Sequence, residues 1–287
     1  MNPQAANDKI PRIRWLASYP KSGNTWVRTL LYAYKYGKFN NLNQIKLDIA
    51  SDSMPGVWYS ASPVPWGLLN DEQKLLTRYS ALLNLIMNYP NLIIKTHNAN
   101  LRVNSVELIP NEISTTSVYL IRDPRDIAIS FSEHLGASIS DTIKKMSDTG
   151  MVLHSETENN GIYQHLGSWS TNVETWIKPR KFNHTIIKYE DLLLNPEQEF
   201  RKIVNTYNGI NSINDKKIKK AIKYCEFSKL KEKEKSKGFD EASHHTEFFK
   251  RGKSGTWKDI LTEEQVKKIE QDHGETMECV GYNLEYL

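Results

Sequence analysis

The chain has 287 residues, 39% hydrophobic and 25% charged, enough for an ordinary soluble core in one large α/β domain or two small ones. Its net charge of +4 is too small to imply nucleic acid by itself, and no run approaches the roughly 20 apolar residues that span a bilayer, so neither partner is expected. Two distant cysteines, Cys225 and Cys279, and a polar start without an apolar leader point to a reducing, cytoplasmic setting, with no disulfide framework and no metal-ligand spacing.

The first strand pattern, 13–18 (IRWLAS), runs into a tight turn and then a helical pattern, 24–37, that stops at Gly37. Residues 40–90 are rich in Trp, Pro and Asn and then read as a helix over 71–87. Strand patterns follow at 91–96 (NLIIKT) and 117–122 (SVYLIR). The second feeds a helix over 123–135, with Asp123 as N-cap and Pro124 at the first helical position. Residues 136–165 are polar and glycine-spaced. A strand at 184–190 (HTIIKYE), a helix at 195–209 and a helix at 262–274 complete the alternation. Residues 216–237 carry ten lysines against three glutamates, either a solvated helix face or a field for an anionic ligand. Nearly all-apolar strands alternating with helices predict an α/β fold, a central parallel β-sheet flanked by helices. The expected organisation is a single domain over 1–287, with insertions at about 40–90 and 136–165 over the carboxyl ends of the strands, where open α/β sheets bind ligands.

The turn after the first strand reads YPKSGNTW, Tyr19 to Trp26. A strand, a tight loop and a helix leave free N–H groups at the helix N-terminus, which with the helix dipole make an anion site. Gly23 permits close backbone approach, Ser22 and Thr25 offer hydroxyls, Asn24 an amide and Lys21 a mobile positive charge. The plainer alternative is a strand–turn–helix with a surface lysine. The triphosphatase loop, G-x-x-x-x-G-K-[ST], places its lysine after the last glycine. Here the lysine comes first, and no magnesium-organising carboxylate is evident at a strand end.

This octapeptide resembles the 5′-phosphosulfate loop of sulfotransferases that use 3′-phosphoadenosine 5′-phosphosulfate (PAPS). Three further stretches are similar to that family's motifs, in its order: IIKTHNAN (93–100), VYLIRDPRDIAISFSEH (118–134) and FFKRGKSGTWKD (248–259), with KYEDL (188–192) as a short adenine-side segment. The resemblance spans 13 to about 260 and implies a P-loop NTPase-like sulfotransferase fold. The chain departs from the pattern at Asn24, where threonine is usual, and at Thr256, where aspartate is usual. It also has Thr262-Glu263 at the dimer motif's Thr-Val, and the oligomeric state stays open.

The resemblance implies roles. Lys21 stabilises charge on the leaving phosphate, His97 is the general base, and Lys95, on the same side of the strand as His97, helps the transferring group. Ser22, Gly23, Asn24 and Thr25 hold the 5′-phosphate. Arg122, Ser130, Lys250, Arg251 and Gly252 clamp the 3′-phosphate. Trp26, Tyr189 and Phe227 face the adenine, with Cys225 near its edge. No metal is expected, because lysine supplies the charge, and the product nucleotide is 3′,5′-diphosphoadenosine (PAP). The residues alone leave other readings: a histidine satisfied at a strand end, an Asp123–Arg125 pair that leaves Arg122 structural, a solvated basic loop at 250–252, and aromatics that only pack. At the level of activity the rivals are a P-loop kinase or NTPase and a non-catalytic nucleotide-binding module. The acceptor is expected to be a small molecule with a hydroxyl or amine. A cationic one would suit Trp58, Tyr59, Trp66, Phe131 and Tyr163 together with Asp48, Asp52, Asp148, Glu156 and Glu158.

Overall fold

The computed structural model describes residues 11–153, 162–242 and 247–287, apart from positions 63, 91, 180, 210 and 211. Glu156 and Glu158 of the expected acceptor region lie outside the described residues. Five strands form one sheet: β1 (Ile13–Ser18), β2 (Ile49–Ser51), β3 (Ile93–Thr96), β4 (Ser114–Ile121) and β5 (Asn183–Lys188). Their order is β2-β3-β1-β4-β5 and every pairing is parallel. Strand β1 therefore stands between β3 and β4, and the chain order reverses there. In open parallel sheets that reversal opens a crevice beyond the carboxyl ends.

Side chains alternate between two apolar layers, as strand geometry requires. Trp15, Ala17, Tyr119 and Ile121 face one layer; Leu16, Val118, Leu120 and Ile187 face the other. Helix α1 (Asn24–Tyr36) packs on the second layer. Helices α2 (Arg78–Asn88), α3 (Pro124–Leu135), α4 (Ile139–Ser147) and α5 (Trp169–Ile177) pack on the first. The second layer also takes α6 (Pro196–Asn208), α7 (Asp215–Tyr224) and α8 (Phe227–Lys237), and α9 (Glu263–Cys279) closes the first. Each large apolar side chain so buried contributes ~1.5–3 kcal/mol.

Several boundaries differ from the sequence reading. Strand β4 begins three residues before the expected 117, because Ser114 accepts the Trp15 indole N–H at 2.8 Å. The helix expected over 71–87 breaks at Thr77, whose hydroxyl bonds the Lys74 carbonyl at 2.8 Å. The lysine-rich stretch is two helices that meet at Cys225. Gly274 does not stop α9: a Cβ there would sit 3.2 Å from Leu284, so the glycine admits the C-terminal tail while the helix runs on to Cys279. Strand β2 escapes the sequence reading because it is only three residues long.

Candidate active site

The catalytic candidates sit just beyond the carboxyl ends of four adjacent strands. Lys21 follows β1, His97 follows β3, Arg122 follows β4 and Tyr189 follows β5. With Lys95 they line one cavity of about 270 Å³. Gly23, Asn24, Thr25, Trp26, Ser130, Phe227, Lys250, Arg251 and Gly252 line it too. Ser22 does not: it is fully buried, and its hydroxyl has no hydrogen-bond partner among the described residues.

The turn is shaped for an anion. Lys21 adopts φ 65° and Gly23 φ 94°. The left-handed region costs a non-glycine residue about 1–2 kcal/mol, and the Arg122 guanidinium holds Lys21 there by donating to its carbonyl at 3.0 Å. No side chain caps α1 and no acidic residue enters its first turn, so its leading N–H groups and dipole face the cavity uncompensated. A Cβ on Gly23 would lie 2.5 Å from the Tyr189 ring, so the turn can pass over that ring only as glycine.

Burial sets the protonation states. The Lys21 ammonium is pushed down to about 8, chiefly by desolvation and then by Arg122 and Lys95. It lies 4.4 Å over the Phe248 ring. Lys95 is lowered for the same first reason, opposed by Glu241. Glu241 forks onto Arg28 at 2.8 Å. Burial alone raises its carboxyl, but Lys95 and Arg28 outweigh that and hold it below the usual range.

His97 Nδ1 lies 2.8 Å from the Ser18 carbonyl, which can only accept. Nδ1 therefore carries the proton and Nε2 keeps its lone pair. Desolvation, then Lys95, keeps the ring well below the ordinary histidine range, so it is neutral at neutral pH. Asn24 lines the cavity and also turns back toward β1. Its amide donates to the Leu16 carbonyl at 3.3 Å and to the Ser18 hydroxyl at 3.2 Å, and that hydroxyl sits 3.2 Å from His97 Nδ1. Asn24 thus braces the strand end that orients His97.

On the far side, Arg122 also donates to the Lys253 carbonyl at 3.2 Å and lies 4.4 Å over the Tyr189 ring. The Asp123–Arg125 pair does form, at 2.8 Å, but it extends to Glu270 and leaves Arg122 on the cavity. Asp126 anchors the late basic loop by accepting from Gly255, Thr256 and Trp257. A Cβ on Gly252 would fall 2.3 Å from Phe227, so that loop lies flat on the ring. Trp26 donates its indole N–H to the Cys225 carbonyl at 3.1 Å. The Cys225 thiol is buried, pushed up to about 12 by desolvation, and does not line the cavity, which removes it as an edge contact.

Other cavity residues had no role assigned from the sequence: Glu133, His134, Leu153, Gln164 and Phe248. Lys21 and Lys95 add to burial in lowering His134 to about 4. The described members of the expected cation-drawing set are dispersed. Asp48 binds Lys35 and Tyr36, Asp148 caps Gly150, and Asp52 is buried against Arg78, Thr96 and Asn98. Phe131 is core beside Tyr19. Trp58, Trp66 and Tyr163 line a separate cavity of about 120 Å³. Among the described residues no group of three His, Cys, Asp or Glu could hold a metal ion, and no helix is long and apolar enough to cross a membrane.

Comparison with known proteins agrees with this architecture. The family model described as "Sulfotransferase domain" matches residues 11–281. A flavonol 3-sulfotransferase of Flaveria bidentis is 25% identical, over 96% of this chain and 84% of its own length. The mouse sulfotransferase 1 family member D1 is 24% identical, over 92% and 82%. Among solved structures, retinol dehydratase in complex with retinol and PAP aligns with TM-score 0.61 and 22% identity, over 96% of this chain and 84% of the other. Mouse sulfotransferase SULT7A1 complexed with PAP aligns with TM-score 0.60 and 19% identity, over 93% and 84%.

Proposed function

This chain belongs to the sulfotransferase family, and from that premise we propose that it moves a sulfuryl group from PAPS to a hydroxyl or amine of a small-molecule acceptor. The observation that carries this reading is one cavity in which an uncapped helix N-terminus, Lys21, Arg122 and a neutral His97 meet. PAPS, when bound, supplies the sulfuryl group on its 5′-phosphate. The residues present fit that donor. The first turn of α1 with Lys21 is one anion site, and Arg122, Ser130, Lys250 and Arg251 are a second. Trp26, Tyr189 and Phe227 offer ring faces for the purine.

In this mechanism His97 Nε2 takes the proton of the attacking hydroxyl or amine, a role worth about 10²–10⁴-fold. Ser18 and Asn24 keep the ring in the productive tautomer. Lys21 places its charge where negative charge builds on the leaving phosphate oxygen, and Lys95 lends a second cation. The magnesium-centred NTPase reading falls with the family. A phenolic or similar neutral hydroxyl suits the acceptor side, lined by His134, Leu153, Gln164 and Phe248, and accords with a relative named for flavonols. Among the described residues, the carboxylates expected to draw a cationic acceptor, Asp48, Asp52 and Asp148, are engaged elsewhere. One catalytic domain over 1–287 is proposed because both apolar layers share one sheet, and a cytoplasmic location because Cys225 and Cys279 are free thiols.

The test is sulfuryl transfer from labelled PAPS to a panel of phenols, alcohols and amines in excess chelator. We expect PAP and sulfated product in equal amounts. Activity that vanishes with chelator and returns with magnesium, or ATP hydrolysis in its place, would defeat the reading.

A further inference from the structure

Glu133 lies on α3 three residues beyond Ser130, on the same helix face, and lines the same cavity. Its carboxylate receives Lys250 Nζ at 2.8 Å and both terminal nitrogens of Arg251, Nη1 at 2.9 Å and Nη2 at 2.7 Å. Those are the two loop cations that the donor reading assigns to the 3′-phosphate. A carboxylate forked onto a guanidinium uses the donors that a phosphate would use. The pairing is accessible to exchange: the Lys250 side chain is 45% exposed, Arg251 29% and Glu133 22%. Ion pairs this open to water are weak and readily replaced. Arg122 differs, since it is buried, donates to backbone carbonyls, and keeps an Nε with no partner among the described residues.

We propose that Glu133 is an internal competitor for the 3′-phosphate, a carboxylate that occupies Lys250 and Arg251 in the free protein and must yield them when a 3′-phosphorylated nucleotide binds. The inference rests on the PAPS reading and deepens it. A nucleotide with only a 5′-phosphate has no need to displace Glu133. The residue therefore trims affinity for PAP selectively, and it hastens release of that product. If Glu133 served only to orient the two cations for phosphate, its loss would weaken PAP binding instead.

The experiment is calorimetric titration of the full chain with PAP and with adenosine 5′-phosphate, for wild type and Glu133→Gln, with PAP dissociation followed by stopped flow. Glutamine keeps the shape and removes the charge. Releasing two partly exposed ion pairs corresponds to about tenfold tighter PAP binding and similarly slower PAP release, with adenosine 5′-phosphate changed by less than about twofold. Glu133→Ser, which truncates the carboxylate, is the second variant and carries the same expectation. Unchanged or weaker PAP affinity in a variant that still unfolds cooperatively overturns the competitor role. A wild-type protein that binds adenosine 5′-phosphate but not PAP overturns the donor reading itself, and the competitor role with it.

Discussion

The two sides of the cavity are made of different material. On the proposed donor side, Lys21, Arg122 and Tyr189 follow from β1, β4 and β5, and His97 follows β3 at the proposed point of transfer. Their positions are fixed by parallel pairing and by a helix N-terminus. On the proposed acceptor side, His134, Leu153, Gln164 and Phe248 come from a helix end, two paired two-residue strands and a late loop. The difference separates what a sheet dictates from what covering segments improvise. Donor residues carry charge and hydrogen bonds at defined points, whereas acceptor residues supply mostly shape.

Substitutions that break the donor side should remove chemistry. The largest effect is expected from His97→Ala, which should lower turnover by about 10²–10⁴-fold while PAP affinity stays near wild type. Steady-state rates and calorimetry on the folded variant check this, and wild-type-like turnover would remove His97 from the mechanism. Lys21→Ala should lower kcat by about 10²–10³-fold, more than it weakens PAP, because its charge matters most in the transition state. Equal losses in rate and in PAP affinity would reduce it to a binding charge.

A pH titration sharpens the same comparison. Lys21 titrates at about 8 in the free protein because burial and neighbouring cations disfavour its charge. A bound phosphate raises that value, so binding above pH 8 takes up a proton. PAP affinity should then be flat with respect to this group below pH 8 and fall as pH rises, by up to about tenfold per unit. Affinity independent of pH between 7 and 9.5 would contradict the assignment. The smallest effect belongs to the acceptor side. Gln164 Oε1 is buried with no hydrogen-bond partner among the described residues, and it lines the cavity. Gln164→Ala should raise the acceptor KM severalfold, the worth of about one neutral hydrogen bond, and leave the PAPS KM unchanged.

The same division explains what could be read from the sequence. Lys21, His97, Arg122 and Tyr189 were legible because each lies within three residues of a strand end whose apolar run announces itself. The Lys-x-His spacing held because alternate strand residues share a side. Sequence gives residue type and not direction, so it could not show that the Asn24 amide turns back to Ser18. Glu133 was hidden because its partners lie 117 and 118 residues away along the chain. Trp58, Tyr59 and Trp66 looked like an acceptor wall, yet they pack on one another away from the main cavity. Asp52 looked like a free carboxylate and is instead the buried partner of Arg78, where losing one member costs about 3–5 kcal/mol.

The central claim is that the strand ends and the late loop together recognise two phosphate positions on one nucleotide. The direct measurement compares PAPS with adenosine 5′-phosphosulfate as donor, in wild type and in Arg251→Ala. Arg251 is the better probe than Arg122, because Arg122 also holds the Lys21 and Lys253 carbonyls and its loss would disturb both donors. Two or more charge-assisted bonds to the 3′-phosphate, at about 1.5–3 kcal/mol each and offset in part by the displacement of Glu133, predict a preference for PAPS on the order of 10²-fold in kcat/KM. Arg251→Ala should narrow that preference by weakening use of PAPS while hardly touching the shorter donor. Equal use of the two donors by the wild-type protein would contradict the account.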